Sequence, residues 1–127
     1  MSAVSKGNQY ELEAKRTLES YGWNVFRQHR KPMFINKRMI TIGADIFGCD
    51  LVCKMSGSKT VWIQVSTPEN LSAKKTQVLE HPINLDHETY EVWSRVHGKK
   101  EFEVHRLFED AGGIGWTKMP NVKVRTK

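Results

Sequence analysis

The 127-residue chain holds only two cysteines and four prolines, and it has fewer acids than bases. It has no apolar run near the roughly 20 residues that a membrane span requires. The opening stretch "MSAVSKGNQYELEAKR" has no apolar core of a secretory signal. A cytoplasmic protein with no membrane partner is therefore the expectation. Cys49 and Cys53 are four residues apart, and in a strand roughly 13 Å would separate them, beyond disulfide reach. No C-x-x-C or H-x-x-x-H spacing accompanies them, so they read as small buried hydrophobes and not as zinc ligands. Repeats, low-complexity tracts and Pro/Ser linkers are also missing, which makes residues 1–127 one expected domain. The glycines of "AGGIGW" lack both phosphate-loop spacing and a following Lys-Ser/Thr, so they read as turns.

Positive charge is plentiful. Twenty Lys and Arg against fourteen Asp and Glu leave a net charge of +6, with a pI near 9.4. The basic residues gather in "FRQHRKPMFINKR" (26–38), "HGKK" (97–100) and the tail "KMPNVKVRTK" (118–127). A basic domain of this size attracts polyanions, of which nucleic acid is the commonest.

Periodicity predicts a helix over 5–21, because Tyr10, Ala14, Leu18 and Tyr21 form one stripe and Gly22 follows. "WNVFRQ" (23–28) reads as a strand, followed by a basic loop containing Pro32. "DLVCKM" (50–55) and "TVWIQVS" (60–66) read as a hairpin closed by "SGSK". Thr67 as N-cap, then Pro68 and Glu69, start a second helix over 67–81 that His81-Pro82 ends. "TYEVWSRV" (89–96) and "EFEVHRLF" (101–108) alternate and form a second hairpin, with the "AGGIGW" loop and basic tail closing the chain. The expected fold is mixed α/β, of the α+β kind, with a central mixed β-sheet flanked by helices.

Oxygen-bearing side chains gather at one point in this order. In the strand 60–66, Val61, Ile63 and Val65 face one way, and Trp62, Gln64 and Ser66 face the other. Asp50 heads the partner strand. Relative to Tyr10 at zero, Glu11 falls at about 100°, on the shoulder of the stripe, and Glu13 at about 300°, farther from it. On the second helix Lys75 falls inside the apolar stripe, where it either meets an anion or snorkels to water. Carboxylates joined by an amide carbonyl suit Mg²⁺ or Mn²⁺ better than zinc. Such an ion clamps a phosphodiester and activates water, with a nearby lysine orienting that water. His29, His97 and His105 read as surface or strand-edge residues, and Trp93 and Trp116 as core or base-stacking residues.

The stretch "KGNQYELEAKRTLESYGWNV" resembles the first helix of the PD-(D/E)XK nuclease superfamily, particularly its Holliday-junction-resolvase-like members. "CDLVCKMSGSKTVWIQVS" follows the same layout, with Asp50 at the aspartate position and fourteen residues to Gln64. The likeness covers roughly residues 5–81. It implies a restriction-endonuclease-like core and an Mg²⁺-dependent deoxyribonuclease, acting on DNA that includes branched forms, with a homodimer as the assembly. Under it, Glu11, Asp50 and Gln64 are the metal ligands, with Asp45 as rival or assistant. Ser66 contacts metal-bound water or phosphate, and Lys75 replaces the missing lysine. Arg27, Arg30, Lys37 and Arg38 are expected to track the DNA backbone. Two departures stand out: Gln64 replaces the second acid and Ser66 replaces the lysine. They leave open an alternative, a catalytically silent nucleic-acid-binding module on the same fold.

Overall fold

The first helix, α1 (Ala3–Ser20), stops where glycine permits it to. Gly22 adopts φ 97°, its N–H donates to the Glu19 carbonyl at 3.0 Å, and the Trp23 N–H donates to the Leu18 carbonyl at 3.2 Å. These two bonds form the paired C-terminal cap that a left-handed residue makes possible. A computed structural model of the protein describes residues 3–27, 31–35, 38–42 and 49–125.

After α1 come β1 (Asn24–Arg27), β2 (Lys31–Ile35), β3 (Arg38–Ile42), β4 (Leu51–Lys54) and β5 (Thr60–Ser66). A 3₁₀ turn over Pro68–Asn70 leads into α2 (Leu71–Leu79), and β6 (Glu88–Arg95), β7 (Glu101–Asp110) and β8 (Gly113–Lys123) complete the chain. Six strands form one sheet in the order β1-β4-β5-β6-β7-β8. Only β5 and β6 run parallel, as a strand–helix–strand connection through α2 requires. The architecture is the expected α+β class with a mixed sheet.

Alternation on the strands divides the core into two layers. Leu51, Cys53, Val61, Ile63, Val65, Trp93, Phe102 and Val104 pack with Ala14 and Leu18 of α1. Cys49, Tyr90, Val92 and Leu107 pack with Val78 of α2 on the other face. Both cysteines are buried, as expected, and neither forms a disulfide. Burial, reinforced by the Glu91 carboxylate, pushes the Cys53 thiol up to about 12. It therefore stays protonated at neutral pH, unlike a metal-bound thiolate.

Two strand pairs depart from the expected element order. The segment read as a basic loop contains the β2–β3 antiparallel ladder, which forms its own two-stranded sheet. Both of its strands are edges, so Pro32 is tolerated, and "MFI" and "MITI" supply strand-forming residues. The closing tail forms β8, paired with β7 through a tight turn at 111–112. Its basic charge and Pro120 suit an exposed edge strand. A register shift between Phe102 and Val104 sets Pro120 and Asn121 opposite Glu103, so the missing proline N–H falls in a bulge. Thr67 has the extended backbone expected of an N-cap, but its hydroxyl makes no capping bond.

The buried side of α1 also differs from its hydrophobic stripe. Glu13 and Thr17 are buried beside Ala14 and Leu18, while Tyr21 is 53% exposed, under the Arg125 guanidinium at 4.7 Å. The Thr17 hydroxyl donates to the Glu13 carbonyl at 2.7 Å and accepts the Arg125 N–H at 2.9 Å. Arg95 Nε donates to Glu13 Oε1 at 2.9 Å, with both side chains about one-tenth exposed. Arg95 also lies 5.2 Å from the Tyr10 ring centroid. Polar residues that find partners across the interface thus turn the buried face toward Glu13, which hydrophobicity alone cannot register. Glu13→Ala should cost about 3 kcal/mol in urea unfolding, because it strands a buried guanidinium. A loss below about 1 kcal/mol would contradict the assignment.

Candidate nucleic-acid interface

The chain changes face at Asp50. Cys49 belongs to the α2 layer and Leu51 to the α1 layer, so residue 50 makes the bend between them. The Asp50 N–H donates to the Ile63 carbonyl at 2.9 Å, and its carboxylate Oδ2 accepts the Val65 N–H at 2.9 Å. The side chain thus satisfies a β5 donor where β4 has turned away. Asp50 is only 5% exposed. Gln64 and Ser66 are buried on the α2 face of β5, and the Ser66 hydroxyl donates to the Thr67 carbonyl at 2.6 Å. Asp50 is thus bonded to Ile63 and Val65 of β5, the chain neighbours of Gln64.

Glu11 and Arg27 take other roles than those expected. Arg27 Nε donates to Glu11 Oε1 at 3.0 Å, with both side chains mostly buried. Arg27 Nη2 also donates to Asn8 Oδ1 at 3.0 Å. The arginine expected on a DNA backbone instead ties β1 to α1, and the carboxylate expected on a metal receives it. Among the described residues no three of His, Cys, Asp or Glu converge on one point. Gln64 is neutral, Glu11 is salt-bridged and Asp50 holds a backbone amide, so these donors do not fit a hard divalent cation that prefers several carboxylates. Asp45, Arg30 and Lys37 lie outside the described residues, as does the side chain of Arg38.

Lys75 points elsewhere than to Gln64. Its ammonium sits 5.8 Å from the centroid of the Trp116 ring on β8. The register sets Gln64 opposite Val92, Val92 opposite His105, and His105 opposite Lys118. With strands spaced about 4.8 Å apart, Gln64 and His105 are separated by about 10 Å. Lys75 thus reaches from α2 toward Trp116 at the β7–β8 end of the sheet.

Lys75, His105 and Lys118 consequently share one end of the α2 face. Burial lowers the His105 pKa, and the Lys75 and Lys118 charges lower it further, against the pull of Glu103. The His105 Nε2 ring nitrogen stands 3.1 Å from Glu103 Oε1, and Lys118 Nζ donates to Asn121 Oδ1 at 3.2 Å. Among the described residues neither lysine pairs with a carboxylate. Two ammonium groups thus stand near an imidazole whose ring already contacts the Glu103 carboxylate, and their like charges disfavour its protonation. The cluster depends on β8, and the tail's alternation of Trp116 with Lys118 was the one signal for it.

No protein family, curated protein or solved structure matches the chain.

His105 should titrate below the ordinary histidine midpoint near 6.5, and Lys75→Ala should move that midpoint upward by removing a like charge. Imidazole NMR shifts followed against pH check both; an unchanged midpoint in the variant would place the lysine away from the ring.

Proposed function

We propose that the chain is a nucleic-acid-binding domain, with DNA as its ligand class, that docks phosphates on the α2 face of its sheet. The observation that carries this reading is the convergence of Lys75, His105 and Lys118 around Trp116. Lysines without acidic partners take phosphate oxygens as charge-assisted acceptors, and an adjacent indole offers a surface on which a base stacks. The net charge of +6 adds long-range attraction of the same sign.

The topology supports a restriction-endonuclease-like core for this binding. A leading helix precedes the antiparallel run β1-β4-β5, and α2 then carries the chain to the parallel strand β6. The donor set at Asp50, Gln64 and Glu11 favours the catalytically silent form of that core over the Mg²⁺-dependent deoxyribonuclease. In this reading Asp50 stitches β4 to β5, and Glu11 seats α1 on β1.

Fluorescence anisotropy with a labelled DNA duplex at several salt concentrations tests the proposal. The Lys75→Ala and Lys118→Ala pair should lower affinity about a hundredfold, and the slope of log K against log salt should fall by about 2. Affinity should rise as pH falls through the histidine range, because a phosphate favours the protonated His105. Salt-insensitive binding, or unchanged affinity in the double variant, would overturn the site. Mg²⁺-dependent cleavage lost in Asp50→Ala would overturn the silent form and restore the nuclease.

A further inference from the structure

The α2 face carries charge of the opposite sign where β5 and β6 begin. Trp62 of β5 and Tyr90 of β6 are register partners, and with Glu88 and Pro82 they line a cavity of about 190 Å³. Tyr90 is only 5% exposed, while Pro82 stands exposed in the loop after α2. The cavity therefore opens between that loop and the sheet. It is smaller than the sites that enclose drug-sized ligands and suits one small group.

Both rings hold Glu88 in this wall. Its Oε2 accepts the Trp62 indole N–H at 2.9 Å, and its Oε1 accepts the Tyr90 hydroxyl at 2.6 Å. The Tyr90 oxygen in turn accepts the Asn84 N–H at 3.1 Å. Burial, and then the bond to Glu88, push the Tyr90 phenol up to about 12, so it keeps its proton and stays a donor. Neutral donors orient a carboxylate without cancelling its charge. Among the described residues no Lys, Arg or His forms an ion pair with Glu88. Lys59 adjoins Thr60, the register partner of Glu88, yet its ammonium donates to the Leu85 carbonyl at 2.7 Å. A partly buried negative charge without a counter-charge favours a cation from outside the chain.

The rings decide which kind of cation. An ion at the centre of so small a space lies within about 6 Å of both aromatic side chains, the reach of cation–π attraction. A hard metal ion needs several oxygens to replace its water, and the wall offers one carboxylate whose two oxygens each already take a donor. A quaternary ammonium group donates no hydrogen bond and asks only for negative charge and ring faces. From this geometry we infer a second binding site, for a small quaternary ammonium group, with Trp62 and Tyr90 as aromatic walls and Glu88 as counter-charge. Trp116 and Lys118 lie three strands away, about 14 Å at ordinary strand spacing, and the site is independent of the nucleic-acid reading.

Titration of the isotope-labelled whole protein with choline chloride, followed at the indole N–H resonances, tests it; Trp62→Phe identifies the Trp62 signal by its loss. The expected result is a saturable shift of that signal in the millimolar range, which sodium chloride at equal concentration does not produce. The uncharged isostere 3,3-dimethyl-1-butanol should bind at least about tenfold more weakly, and Glu88→Gln should weaken choline binding by a similar factor. Absence of saturation, an equal shift with sodium chloride, equal binding of the alcohol, or undiminished binding by Glu88→Gln would each overturn the inference. The comparison of choline with the alcohol needs no variant and stands even if the substitution unfolds the protein.

Discussion

The arrangement of this protein depends on how its first helix is held to the sheet. Glu11 and Glu13 are two residues apart, which turns their side chains by about 200° about the helix axis. One takes Arg27 of β1 and the other takes Arg95 of β6. The helix is thereby fixed across the sheet from both flanks, with Ala14 and Leu18 pressed onto β4 and β5 between them. Taking carboxylates and guanidinium groups out of water is costly, so such pairs contribute little net stability over an apolar contact. Their effect is directional: a rotation of α1 by one residue would leave two buried arginines without acids.

With α1 committed to one face, the chemistry of the other face follows from strand register. A single row runs Gln64, Val92, His105 and Lys118 from β5 to β8. At one end Asp50 joins the separating strands β4 and β5. At the other end Lys75 descends from α2 onto Trp116. The Lys75 and Lys118 ammonium groups beside the His105 imidazole are a source of attraction toward phosphate.

Much of this was legible in the sequence, and the failures have physical causes. Both helices and strands β4 to β7 appear as regular periods, and glycine or proline marks several of their ends. β8 was read as a tail, since proline and clustered lysines argue against a strand unless a bulge and an exposed edge accommodate them. That one misreading hid the cluster, because Trp116 and Lys118 face His105 only through the β7–β8 ladder. The inward position of Lys75 was readable from helical angle, whereas its destination was not. Glu13 was placed outside the apolar stripe because its partner lies 82 residues away, and no local pattern encodes such a contact. The engagement of Glu11 by Arg27 of β1 was likewise not legible, since it joins residues 16 apart across the helix–strand interface.

Amide NMR of the isotope-labelled protein, titrated with a short DNA duplex, bears most directly on where the polyanion sits. The account predicts that the shifted resonances cluster on α2 near Lys75 and on the β7–β8 ladder around His105, Trp116 and Lys118. Shifts confined to the α1 face, or none at low ionic strength, would contradict it.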